Sequence, residues 1–200
     1  MPKTSKMQNL KKKITTNEGF LKASDISTRT QWRRLRKMLD EGVVSKVQRG
    51  LYRLNDDDAE ANQYVEIAKI VPDGILCMYS TWLHYELSVQ IPQEYNIAIE
   101  KSRKVSLPDY PPIKLYFWKK EFYELGIDNR IVDGASVKMY DVEKSVCDAV
   151  RFRNKIGMDT TAEILRNYLK RSDCNFTKLM QYAKIMRIEN TIRTYIEIQL

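Results

Sequence analysis

Between Ser27 and Leu54 the chain sets a short cationic helix, a glycine and an alternating strand pair in direct succession, and this order restricts what its N-terminal quarter can become. Ser27 or Thr28 offers a hydroxyl to cap a helix running to about Glu41, and Gly42 stands where a left-handed closing residue is wanted. At 100° per residue, Trp32, Leu35 and Leu39 share one stripe, while Thr30, Arg33, Arg34 and Lys37 fall on the far side. One face is predicted to be core and the other cationic. Residues 43–54 then alternate around Arg49-Gly50 as a hairpin.

Upstream, residues 5–13 read as a basic helix, 14–19 as a turn and 20–26 as a short element, taken as a short helix. Helix, short helix, basic helix, hairpin is the order of a winged helix-turn-helix, whose last helix enters the major groove while the hairpin follows the adjacent backbone. Charge agrees with this expectation. The whole chain has 34 Lys+Arg against 26 Asp+Glu, but residues 1–55 alone hold 14 against 4, residues 56–140 hold 9 against 14, and residues 141–200 hold 11 against 8. The basic surplus is therefore N-terminal and ends abruptly at Asp56-Asp57-Asp58. We expect a polyanion-binding domain over 1–55 and a second domain over 56–200.

The second stretch reads as mixed α/β (α+β). Residues 60–71 have helical spacing through Tyr64, Ile67, Ala68 and Val71, closed by Pro72, and residues 80–87 form another helix candidate. Residues 95–100, 113–118, 130–132 and 136–140 are strand candidates, rich in β-branched and aromatic side chains. From Val142 the pattern is helical. Ile164, Leu165, Tyr168 and Leu169 give one stripe, Leu179, Ala183 and Met186 a second, and Ile188, Ile192, Tyr195 and Ile196 a third, predicting a C-terminal helical cluster.

Several chemistries are absent from the sequence. Neither GxxxxGK[ST] nor GxGxxG occurs, and no carboxylate is followed two residues later by lysine, as a common class of metal nuclease requires. Cys77, Cys147 and Cys174 are far apart and only one histidine accompanies them, so neither a zinc site nor a disulfide framework is expected, and a reducing cytoplasm fits. The longest apolar run, 75–79, has five residues where a membrane span needs about 20. His84 sits among aromatic residues and reads as structural. No catalytic residue, metal or cofactor is expected. Asp148, Arg151, Arg153, Asn154, Lys155 and Asp159 cluster around Gly157, either as helix-end caps and ion pairs or as a surface for phosphate or a partner protein.

Three stretches carry a family resemblance. They are 39–54, with Val47-Gln-Arg-Gly-Leu-Tyr-Arg-Leu54; 79–92, with Tyr79-Ser-Thr-Trp-Leu-His-Tyr-Glu-Leu87 and Ile91-Pro92; and 142–169, with Val142-Glu-Lys-Ser-Val-Cys-Asp-Ala-Val-Arg-Phe-Arg-Asn-Lys-Ile-Gly-Met-Asp159. In this the chain resembles the AbiEi-type antitoxins, the transcriptional-regulator half of type IV toxin–antitoxin and abortive-infection systems. The resemblance implies a repressor binding inverted repeats in duplex DNA upstream of its own operon. It also implies neutralisation of a nucleotidyltransferase-like toxin without a stable complex, with Asp148, Arg151, Arg153 and Asp159 the candidate antitoxin surface.

Residue chemistry divides the expected DNA contacts by type. Arg33, Thr30 and Lys37 would reach base edges, Arg33 with paired hydrogen bonds to guanine, while Arg29 and Arg34 lie beside them and Arg34 would hold phosphate. Lys46, Arg49 and Arg53 in the hairpin would contact backbone or minor groove. The competing readings are a nucleic-acid-processing enzyme with a basic targeting domain, and a protein-interaction module.

Overall fold

The computed structural model describes residues 3–55, 63–132 and 134–199 and shows a mixed α/β protein of two compact units. The Asp56–Asp58 triplet lies outside the described residues. The first unit comprises residues 1–72 with two short excursions, 105–111 and 132–135; the second comprises 73–104, 112–131 and 136–200.

The first unit runs α1 (Lys3–Thr16), β1 (Phe20–Lys22), a single 3-10 turn (Ala23–Asp25), α2 (Arg29–Asp40), β2 (Val44–Gln48), β3 (Leu51–Leu54) and α3 (Gln63–Ile70). Helix α1 extends into the expected turn as far as Thr16, leaving residues 17–19 as the turn, because Ile14 is an inward anchor, fully buried one turn after Leu10. The segment expected as a short helix is instead a strand followed by one 3-10 turn. Phe20 and Leu21 are buried, and β1 pairs antiparallel with β3, setting Leu21 opposite Tyr52, so the sheet order is β1-β3-β2. Three residues, two buried and one exposed, are too few for periodicity to separate a strand from a helical turn.

The hairpin forms where expected. Lys46 faces Tyr52 and Ser45 faces Arg53, a register shift lies between Lys46 and Gln48, and Gly50 closes the tip at φ +81°. Leu10, Ile14, Leu21, Ile26, Leu35, Met38, Val44 and Leu54 make one core, with Leu39, Val43 and Tyr52 packed against it.

The first unit also extends past the expected boundary at residue 55, and polar contacts explain why. Arg53 donates to the Glu66 carboxylate at 2.9 Å, Gln48 donates its side-chain amide to the Ile70 carbonyl at 3.2 Å, and Lys69 pairs with Glu18 at 2.9 Å. These bonds make α3 part of the hairpin's unit. Its buried residues are Glu66, Ile67 and Ile70, whereas Ala68, placed in the stripe by spacing, is exposed.

Apart from Val132 and Ala135, which group with the first unit, the second unit holds a five-stranded sheet of order β6-β5-β4-β8-β7, made of β4 (Ile75–Leu76), β5 (Tyr95–Glu100), β6 (Ile113–Trp118), β7 (Ile127–Val132) and β8 (Ala135–Tyr140). Strand β4 runs antiparallel to β5 and parallel to β8, and β5 runs parallel to β6. Helices α4 (Met78–His84) and α5 (Lys120–Tyr123) accompany the strands, and α6 (Val142–Ile156), α7 (Met158–Leu169), α8 (Phe176–Ile185) and α9 (Glu189–Gln199) complete the chain. The three predicted stripes point inward at Ile164, Leu165, Tyr168, Leu179, Ala183, Met186, Ile188 and Ile192, all buried.

Helix α6 is buried on every side from Val142 to Val150, including Glu143, Lys144 and Asp148. Lys144 donates to Asp148 Oδ1 at 2.5 Å, and its ammonium lies 3.9 Å from the Tyr140 ring centre and 4.5 Å from that of Trp118. Burial pushes the Asp148 carboxyl up to about 6, against the pull of Lys144.

Two stability outcomes follow from these buried charges. Replacing Arg53 by Ala leaves the Glu66 carboxylate buried without its partner and should cost about 1–3 kcal/mol in urea unfolding, whereas Arg53→Met combined with Glu66→Met should recover most of that loss. A native pKa raised above the unfolded value means that the folded state holds the Asp148 proton longer. Its contribution should therefore decline as pH rises from about 4 to about 6, by up to about 3 kcal/mol. Urea midpoints across that window should show this decline in the native chain and lose it in Asp148→Asn.

Candidate nucleic-acid interface

Helix α2 begins with a reciprocal cap. Thr28 Oγ1 accepts from the Gln31 backbone amide at 3.2 Å, and the Gln31 side-chain oxygen accepts from the Thr28 backbone amide at 3.2 Å. The amide joins the hydroxyl so that two of the turn's otherwise unpaired donors are satisfied without any acid in the first turn. Arg29 occupies that turn, where the positive helix end disfavours a cation and favours an anion. At the other end Gly42 closes the helix at φ +69°.

The buried side of α2 is Leu35 and Met38. This rotates the helix relative to the predicted stripe, because the midpoint of those two residues lies about 90° from Trp32 at helical spacing. Trp32 is consequently 41% exposed rather than a core residue. Arg34, expected opposite the core, is half-buried, whereas Arg29, Thr30, Arg33, Arg36 and Lys37 are exposed. Arg29, Thr30, Trp32, Arg33 and Arg36 line one surface depression of about 560 Å³. Lys37 stands apart from it in an exposed pair with Glu41 at 3.4 Å.

Arg36 and Trp32 were missed by the helical-wheel reading. Taking Met38 as the second inward anchor, instead of Trp32, would have found both.

In the hairpin the pleat separates the three predicted cations. Lys46 and Arg49 are exposed, while Arg53 is directed to Glu66, whose side chain is 5% exposed. Arg53 is thus a structural residue, and the cations that β2 and the tip present to solvent are Lys46 and Arg49.

The expected cluster around Gly157 does not assemble into one surface. Asp148 is fully buried against Lys144 and has no access to a partner. Arg151 donates to the Met186 carbonyl at 2.9 Å and lies 4.8 Å from the Phe122 ring centre; Arg153 donates to the Val150 carbonyl at 3.2 Å. Asp159 is exposed in the first turn of α7, where the helix dipole favours an acid.

A second polar depression of about 660 Å³ in the same unit includes Tyr85, Arg130, Asp141, Glu143, Lys178 and Tyr182. Lys178 bridges Asp141 at 3.0 Å and Glu143 at 3.1 Å, and Tyr182 donates to Asp141 at 3.0 Å. One lysine thus serves two carboxylates, and with Glu124, Asp128, Arg130 and Asp173 also in the lining the depression keeps an acidic excess.

His84 is exposed at the end of α4, with its ring edge-on to that of Tyr85 at 5.0 Å. Partial burial and then the Arg130 charge lower its pKa. Cys77 and Cys147 are buried free thiols, and burial raises both well above the usual thiol range. Among the described residues no three His, Cys, Asp or Glu side chains gather as metal ligands, and no helix is long and apolar enough to cross a membrane. No protein-family model matches the chain, and no curated protein matches it.

Exposure gives Trp32 a distinctive expected phenotype. Removing a core tryptophan costs about 3–5 kcal/mol, whereas Trp32→Ala should change unfolding free energy by no more than about 0.5–1 kcal/mol. The same variant should weaken duplex binding measured by fluorescence anisotropy. A large stability loss would return Trp32 to the core.

Proposed function

We propose that this chain is a DNA-binding transcriptional regulator whose first unit is a winged helix-turn-helix module, with α2 as the groove-entering helix and β2-β3 as the wing. The observation that carries the reading is the outward face of α2, where Arg29, Thr30, Trp32, Arg33 and Arg36 surround one depression and no acid stands in the first turn. Element order and the β1-β3-β2 sheet support it, since helix, strand, turn, helix and hairpin are arranged as such modules require. The second element of the motif is reduced to the Ala23–Asp25 turn, which still redirects the chain into α2.

In this reading Arg33 and Arg36 supply the fork-shaped donors that match guanine in the major groove, Trp32 offers an apolar face, and Thr30 contributes a short hydroxyl. Arg29 at the helix start and Lys46 and Arg49 in the wing hold phosphates, fixing register without reading sequence. The target is duplex DNA bearing inverted repeats upstream of the chain's own operon, in the cytoplasm.

The second function, counteracting a nucleotidyltransferase-like toxin without a stable complex, rests on the resemblance of residues 79–92 and 142–169 to AbiEi-type antitoxins. Its surface on the α6–α7 corner is offered by exposed Asn154, Lys155 and Asp159. Asp148 takes no part in it.

Titration of the full chain against its upstream DNA tests the first function. Neutralisation of about six phosphates gives a slope of about −5 for log affinity against log salt. Arg33→Ala should lose about 1–3 kcal/mol on the preferred site and relax preference at one base pair, while Arg49→Ala should weaken preferred and random duplexes alike. A slope near zero, or equal losses for both variants on both duplexes, overturns the assignment of α2.

A further inference from the structure

We propose that the β7 edge of the second unit is a self-pairing surface through which two copies of this chain join their sheets. Among the described residues β7 is the last strand of the order β6-β5-β4-β8-β7, so one side of its backbone has no neighbouring strand. Edges of this kind are usually blunted by proline, lysine or a covering element. Ile127-Asp-Asn-Arg-Ile-Val132 contains neither proline nor lysine, and Ile131 is 70% and Ile127 40% exposed. The Asn129 amide, at the centre, donates to the Asp128 carboxylate at 2.8 Å.

The pattern of the strand identifies the partner. Isoleucine, acid, amide, base, isoleucine reads the same from either end except that the charge changes sign. In an antiparallel pairing with its two-fold axis at Asn129, Ile127 faces the partner's Ile131 and Asp128 faces the partner's Arg130. Each face of the joined sheet then gains a matched pair twice over, as an isologous contact requires. The Asp128–Arg130 pair within one strand, at 2.7 Å, becomes half of a four-charge ring.

At the other edge, β6 has no such complement. It contains a lysine and no acid, and Lys114 is already engaged by Glu94 at 3.0 Å. Charge complementarity therefore favours a second copy at β7 over pairing through β6.

Sedimentation velocity of the full chain over micromolar to submillimolar concentration tests the proposal, with thermal melts run on every variant. The native chain should shift from monomer to dimer as concentration rises. Asp128→Arg and Arg130→Asp each set like charges against each other in the pairing and should remain monomeric. An equimolar mixture of the two variants restores opposite charges at both positions and should form dimers again, although neither variant has the internal 128–130 pair. A native chain that stays monomeric throughout overturns the proposal, as do dimers that persist in both single variants. A mixture of folded variants that fails to associate overturns it too.

Discussion

Burial of α6 is the constraint on which the second unit is organised. A helix surrounded on all sides is expected to be apolar all round, yet residues 142–150 include Glu143, Lys144, Ser145 and Asp148. Each must therefore find its partner inside the protein. Lys144 takes Asp148 and two aromatic faces, Glu143 takes Lys178 and the Tyr168 hydroxyl, and the Ser145 carbonyl accepts from the Trp82 indole at 2.9 Å. Asp141 caps the helix through the Lys144 amide while also receiving Lys178 and Tyr182. These partners come from the sheet, α4, α7 and α8, so the polar residues of one helix fix where its neighbours dock. A charge removed from this set leaves another buried and uncompensated, which is far costlier than losing an exposed pair.

The first unit handles its cations in the opposite way. Its core is assembled from α1, β1, α2 and the hairpin with one or two apolar anchors each, so most lysines and arginines there are left in solvent. Arg53 is the instructive exception. It stands on β3 opposite Ser45, four residues from Arg49, yet it closes an ion pair inside the unit while Arg49 stays exposed at the tip. Counting charges along the chain treats the two alike, and pleat and partner separate them.

Sequence legibility followed the length and regularity of each element. Strands β5 and β6 and helices α6 to α9 could be read because six or more residues repeat at one period, and inward residues such as Leu179, Ala183 and Met186 keep to it. Strand β1, three residues long, and β4, two, gave no periodicity, and both exist by pairing with partners far along the chain. The attachment of α3 to the hairpin had no local sequence signal, because the contacts that make it join residues 13 and 22 positions apart. The candidate site was legible in kind and misread in angle. An amphipathic cationic helix was visible, but a wheel centred on Trp32 hid Arg36 and gave Arg34 too much exposure.

Rotation of α2 also alters what its outward face can recognise. A purely cationic surface binds phosphate without distinguishing sequence, and its strength fades with salt. A half-exposed indole among guanidinium groups adds an apolar surface whose contribution salt does not screen, and which suits the thymine methyl better than any phosphate. Leaving that indole in water sacrifices burial worth about 1.5–3 kcal/mol for a large apolar side chain, a loss that core packing at Leu35 and Met38 must offset. The same side chain in the core would have stabilised the fold and left α2 a featureless polycation, so in the proposed DNA-binding role the angle at which this helix meets its core would separate holding DNA from reading it.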